Sequence, residues 1–79
     1  MEFTLAITAF DDPFALTERD HKHSSKEEIR EILIGESDSG VLVVIFTIRK
    51  FGAVYRIISA RKASKKERKL YEVAKRISL

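Results

Sequence analysis

The sequence predicts an α+β fold: an antiparallel β-meander of three to four strands with a C-terminal helix packed on it. Three observations carry this reading. GESDSG at 35–40 and RKFG at 49–52 are turn signals that separate apolar runs by links too short for parallel crossovers. The run VLVVIFTI is apolar on both faces, with Val41, Val43 and Ile45 pointing one way and Leu42, Val44, Phe46 and Ile48 the other, which marks a central strand. After Ser64 the apolar period changes from two to the helical spacing of Leu70, Val73, Ala74 and Ile77.

Taken in order, the meander strands fall at about 28–36, 41–49 and 53–61, and FALTER at 14–19 is a weaker fourth strand. DHKHSSKE makes a polar loop. Ser64 and Glu67 form a Ser-x-x-Glu capping box, so the closing helix starts there and lays the Leu70 stripe on the sheet. FTLAITAF alternates Phe3, Leu5 and Ile7 as a strand does, yet it is equally readable as a short helix ending before Asp11-Asp12-Pro13. Asp11 and Asp12 read as turn residues rather than metal ligands. The remaining cover for the central strand is thin, and an exposed apolar sheet face would favour self-association into a homodimer or docking of a partner.

A chain of 79 residues, 44% of them apolar, is long enough for one small domain spanning 1–79 and too apolar for disorder. It has no cysteine, which removes disulfides, thiolate catalysis and cysteine-based zinc sites. The longest apolar run is too short to span a membrane, and the N-terminus has neither a basic leader nor a cleavage signature, so a cytoplasmic location is expected. No cofactor or metal is expected. The net charge of +3 conceals a segregation. Residues 1–42 hold four basic against ten acidic side chains, a net of −6, whereas residues 43–79 hold eleven against two, a net of +9. This is the signature of a cationic face for nucleic acid or an acidic partner, or else of a solvated lysine-rich helix.

The stretch RIISARKASKKERKLYE at 56–72 gathers the candidate chemistry. Arg56 and Arg61 offer planar forks suited to phosphate oxygens, and Glu67 and Tyr71, at i,i+4, could move the proton of a ribose 2′-hydroxyl. Arg30, Lys62, Lys65 and Lys66 are the expected RNA-binding cations. The competing reading makes Glu67 only a cap, Tyr71 the edge of an amphipathic stripe and the arginines partners of nearby carboxylates. Arg56 and Arg61 are five residues apart, so on an ideal strand they face opposite ways, and a bend is needed for both to converge. His21 and His23 read as a solvated loop, with no third ligand nearby for a metal.

FDDPFAL, HSSKEEIREILIG, SGVLVVIFT and RIISARKASKKERKLYE, in this order and spacing, resemble the BrnT toxins of bacterial type II toxin–antitoxin pairs. The resemblance implies a RelE-like fold, ribosome-independent ribonuclease activity, neutralisation by a ribbon-helix-helix antitoxin, and contact with operator DNA only through that antitoxin. It implies that Arg56 and Arg61 bind the scissile phosphate while Glu67 or Tyr71 handles the proton. Arg30 matches the arginine at the start of the first meander strand, and His23 with Ser24 the polar loop before it. Family members usually begin with a further strand and helix ahead of the position of Phe3, so on this resemblance FTLAITAF is part of a short N-terminal helix. Three functions follow as alternatives: a metal-independent endoribonuclease toxin that inhibits translation, a degenerate toxin that only binds antitoxin or nucleic acid, and an unrelated basic RNA-binding domain.

Overall fold

The computed structural model describes residues 3–49 and 55–78. The elements run α1 (Phe3–Ala9), β1 (Leu16–Arg19), a single 3-10 turn at His21–His23, β2 (Glu28–Ser37), β3 (Gly40–Arg49), β4 (Tyr55–Lys62) and α2 (Lys65–Ser78). The four strands form one antiparallel sheet in the order β1-β2-β3-β4, which is the predicted meander with FALTER contributing its last four residues. Residues 50–52 of the RKFG turn, and the first two residues of the strand expected at 53–61, lie outside the described residues.

The sheet's first face is closed by α1. Ala6 and Ala9 are fully buried against Leu33, Leu42, Val44 and Phe46, and Phe10 packs edge-on against the Phe46 ring at 4.9 Å. Positions 6, 9 and 10 share a helical face, so the strand-like alternation of Phe3, Leu5 and Ile7 is overridden: small residues at the helical period let the α1 backbone approach the sheet. How close it comes is visible at Gly35, where a Cβ would meet the Ala9 carbonyl oxygen at 2.8 Å and the Ala15 Cβ at 3.1 Å. A glycine in mid-strand therefore marks where the helix end touches the sheet.

α1 ends in hydrogen bonds three residues long, from Phe10, Asp11 and Asp12 amides to Ile7, Thr8 and Ala9 carbonyls. Asp12 then acts as the expected turn residue and more. Its Oδ1 accepts from the Phe14 amide at 2.9 Å, and its Oδ2 accepts from the Glu36 amide at 2.7 Å and from the Tyr71 hydroxyl. One carboxylate thus ties the α1–β1 turn to the end of β2 and to α2. The β2–β3 hairpin pairs Ser37 with Gly40 around Asp38-Ser39, and Gly40 takes the positive φ of 100° that closes it.

The second face is covered differently from expectation. The Leu70 stripe was to lie on the sheet, but Leu70, Val73 and Ile77 are 56%, 44% and 80% exposed, while Tyr71 is 2% exposed. Tyr71 is the anchor because its ring can be buried with its hydroxyl satisfied by Asp12, and Lys75 lies over the Phe14 and Tyr71 rings at 5.3 and 6.0 Å. The apolar stripe is held off the sheet and lines an open groove with Leu16, Ile32 and Ile34. The apolar surface left exposed along this groove is thus the helix stripe, over half-buried sheet residues, rather than the bare sheet face expected.

Candidate functional site

Opposite residues of an antiparallel ladder share a face, so the register assigns every candidate side chain. Across β3 and β4, Val43 pairs with Arg61, Ile45 with Ser59, Phe46 with Ile57 and Thr47 with Arg56, and the ladder shifts between Ile45 and Phe46. Ile58 is the extra residue of a β-bulge. It absorbs one step of the alternation, so Arg56 and Arg61 emerge on the same face despite being five apart. The bend that the sequence reading required is this bulge. Arg30 joins them, because it stands opposite Thr47 on β2. All three arginines occupy the second face, away from α1.

They do not meet at one point. Arg56 sits level with Thr47 and Arg61 with Val43, four residues along β3, or about 13 Å of strand. Two clusters result, one at each end of the face. Of the expected RNA-binding lysines, Lys62 pairs with Leu42, which places it on the α1 face rather than with the arginines. Lys65 and Lys66 are exposed in the first turn of α2.

The first cluster lies at the β4–α2 junction. Arg61 Nη1 and Nη2 donate to Glu67 Oε1 and Oε2 at 2.7 and 2.8 Å, a two-pronged charge-assisted contact. Glu67 Oε1 also accepts from the Ser64 amide at 2.8 Å, and the Glu67 amide donates to Ser64 Oγ at 3.2 Å, so the capping box forms as expected. The Arg61 fork, then the Ser64 amide, pull the Glu67 carboxyl down to about 2, and Glu67 in turn holds the Arg61 guanidinium above its ordinary value. Near neutrality Glu67 is an anion with both oxygens engaged, poorly suited to carry a proton. Tyr71 faces inward rather than toward the arginines. Burial first, then its bond to the Asp12 carboxylate, push its hydroxyl well above the usual phenol range.

The second cluster forms a row across all four strands. The Asp20 amide donates to the Arg30 carbonyl at 2.8 Å, extending the β1–β2 ladder, so Asp20, Arg30, Thr47 and Arg56 succeed one another from edge to edge. Asp20 Oδ2 meets His23 Nδ1 at 2.9 Å and lies 3.7 Å from Arg30 Nε. That second separation is an ion pair too long for a hydrogen bond, and Arg30 Nε is buried with no hydrogen-bond partner. Burial opposes ionisation of Asp20, but the His23 contact and then the Arg30 charge hold its carboxyl below the ordinary value. Ser24 braces the corner: its Oγ accepts from the Arg30 amide at 2.9 Å and reaches the Asp20 carbonyl at 2.7 Å. Beside the row, Glu28, Thr47, Arg56, Ile57 and Ile58 line a small open pocket.

His23 is solvated, as expected of the polar loop, but it is also engaged by Asp20. HKH forms a 3-10 turn, with the His23 amide donating to the Asp20 carbonyl at 3.2 Å. The signal that could have found this pair is in the sequence: an aspartate three residues before a histidine, with a serine next to it, at a strand end. Among the described residues no group of three or more His, Asp or Glu stands close enough to hold a metal ion, and no helix is long and apolar enough to cross a membrane.

Comparison with known proteins is specific on one point. The model of a family described as "Ribonuclease toxin, BrnT, of type II toxin-antitoxin system" matches residues 1–67, which takes in the whole sheet, the Asp20–His23 corner and the capping box, and stops before Tyr71. No curated protein sequence matches the chain.

Proposed function

The chain belongs to the BrnT family of ribonuclease toxins of type II toxin–antitoxin systems, and from that premise we propose that it is a metal-independent endoribonuclease that inhibits translation by cleaving RNA in the cytoplasm. The observation that carries the reading is the bulge at Ile58, which turns Arg56 and Arg61 onto one side of the sheet, the side that Arg30 already occupies opposite Thr47. A single strand of RNA laid along that side meets guanidinium groups at intervals of backbone length. Arg30 and Arg56 flank Thr47 about 10 Å apart across two strand spacings, close enough for two arginine forks to reach one phosphate. Arg61 meets a neighbouring phosphate once it exchanges its bond to Glu67 for the RNA.

The chemistry this arrangement serves is transesterification. The ribose 2′-oxygen attacks the adjacent phosphorus, the bond to the 5′-oxygen breaks, and negative charge accumulates on the non-bridging oxygens. Two preorganised arginines stabilise that charge more in the transition state than in the ground state. A toxin of this class has an antitoxin partner. We assign that partner to the ribbon-helix-helix type, with operator DNA reached through it.

Purified chain incubated with single-stranded RNA in EDTA tests the reading. Fragments ending in 2′,3′-cyclic phosphates, with 5′-hydroxyl partners, are expected. RNA left intact over many hours at micromolar protein overturns it.

A further inference from the structure

Transesterification requires the 2′-hydroxyl proton to go somewhere, and the two groups suggested by the sequence are otherwise engaged. Glu67 has both oxygens on Arg61 and the Ser64 amide, and the Tyr71 hydroxyl is buried on Asp12. We infer that His23, oriented by Asp20, is the general base of the site, and that the catalytic centre lies at the Arg30–Thr47–Arg56 row rather than at the Arg61–Glu67 junction. This inference rests on the reading of the chain as an RNA-cleaving enzyme.

The geometry supports each part of the role. His23 Nδ1 is 2.9 Å from Asp20 Oδ2. With Nδ1–H as donor, the carboxylate fixes the tautomer in which Nε2 carries the lone pair, and it stays hydrogen-bonded to the ring as Nε2 takes a proton. The ring is open to solvent, with 55% of its side chain exposed, so a substrate can reach it. The same Oδ2 is 3.7 Å from Arg30 Nε, so imidazole and guanidinium share one carboxylate oxygen and stand side by side. A phosphodiester held by Arg30 and Arg56 therefore presents its flanking ribose beside His23. Ser24 pins the backbone of both Asp20 and Arg30, which limits drift of the pair.

In the step, the 2′-hydroxyl proton passes to His23 Nε2 as the O2′–P bond forms. The P–O5′ bond breaks, the departing 5′-oxygen takes a proton from water, and the imidazolium returns its proton to solvent. The products are a 2′,3′-cyclic phosphate and a 5′-hydroxyl, with no oxidant, reductant or further reactant. Asp20 touches no reacting atom and is a positioning residue.

Initial rates on a single-stranded RNA oligonucleotide, for the wild type and for His23→Gln, His23→Ala and Asp20→Asn, test the assignment. Both His23 variants should lose about 100-fold or more in kcat, with KM and the circular dichroism spectrum unchanged. Asp20→Asn should lose about tenfold in kcat, and the affinity of all three for a 2′-O-methylated copy of the oligonucleotide should match the wild type. An active wild type with His23 variants within threefold of it overturns this inference and leaves the RNA-cleaving reading standing. A raised KM at unchanged kcat also overturns it, making His23 an RNA contact. Intact RNA with the wild type overturns both.

Discussion

The Tyr71 hydroxyl donates to the Asp12 carboxylate across 59 positions of the chain, and this bond, rather than the apolar stripe, fastens α2 to the rest of the molecule. Tyr71→Phe should cost about 1–2 kcal/mol, because it removes a hydrogen bond to a charged group and leaves Asp12 with only its two amide donors. Leu70→Ser and Ile77→Ser, on the exposed stripe, should each cost about 0.5 kcal/mol or less. Urea denaturation of the three variants checks the order. A larger loss at Leu70 than at Tyr71 would show that the stripe does pack on the sheet.

The same bond makes stability depend on pH at both ends. Burial raises the Asp12 carboxyl, but the bonds from Tyr71, Glu36 and Phe14 outweigh it and leave the folded value below the unfolded one. Its contribution is complete above the unfolded carboxylate range, about pH 4, and is lost as pH falls through the lower folded value. Glu67, lowered to about 2, adds a loss in the same acid window. Tyr71 is raised, so its contribution is complete below the ordinary phenol range near pH 10 and disappears as pH rises toward the folded value. Thermal melts should therefore be flat between about pH 5 and 9 and fall on either side. In Tyr71→Phe the alkaline fall should shrink; an unchanged alkaline limb would contradict the assignment.

Gly35→Ala should be among the most destabilising single substitutions outside the apolar core. The new Cβ would lie 2.8 Å from the Ala9 carbonyl oxygen, a backbone atom that can move only if the end of α1 lifts. That displacement strips cover from Leu33 and Leu42, so a loss of about 2–3 kcal/mol is expected. Gly40→Ala meets no atom within 4 Å but strains a φ of 100°, and should cost about 1 kcal/mol. Equal losses at the two glycines would mean that α1 does not rest on β2.

The meander was legible because turn residues and two-sided apolar runs leave unambiguous marks in sequence. The capping box was legible for the same reason: Ser64 and Glu67 are three apart at a helix start and form both of its bonds. The α1 segment was ambiguous, since Phe3, Leu5 and Ile7 alternate while Ala6, Ala9 and Phe10 follow the helical period. Packing decided for the alanines, and a hydropathy pattern gives small residues little weight. The bulge at Ile58 carries no glycine or proline to announce it, so nothing local to RIISAR shows that its two arginines share a face. Tyr71 reads only as the edge of the stripe, because an amphipathic wheel ranks Leu70 above a tyrosine, whereas a buried acceptor 59 positions away reverses that order. His23 reads only as a solvated loop residue, and Asp20 gives no signal, because their pairing depends on a 3-10 turn that polar composition reads as loop.

The two ends of the arginine face make separable predictions for RNA cleavage. Arg56 stands in the row with Arg30 and Thr47 and should contact the reacting phosphate. Arg56→Ala should lower kcat about 100-fold, the loss expected for one charge-assisted contact that strengthens in the transition state. The Arg61 fork is already filled by Glu67 and lies about 13 Å away along β3. Arg61→Ala should therefore lower cleavage only about tenfold, mainly through KM, and reduce the salt dependence of binding by about one phosphate contact. Lys69→Ala, an exposed cation on α2, is the control for general surface charge and should change only weak binding. Glu67→Gln separates the roles further. It leaves the cap in place, since a glutamine oxygen can still accept from the Ser64 amide, but removes the ion pair, for a loss of about 1 kcal/mol or less after allowing for the exposure of Arg61, and frees the guanidinium to bind RNA more tightly. Rates, KM values and salt slopes of the four variants decide between the ends of the face. If Arg61→Ala costs as much in kcat as Arg56→Ala, or Glu67→Gln abolishes cleavage, the centre lies at the β4–α2 junction, and Glu67 carries the proton despite its bond to Arg61.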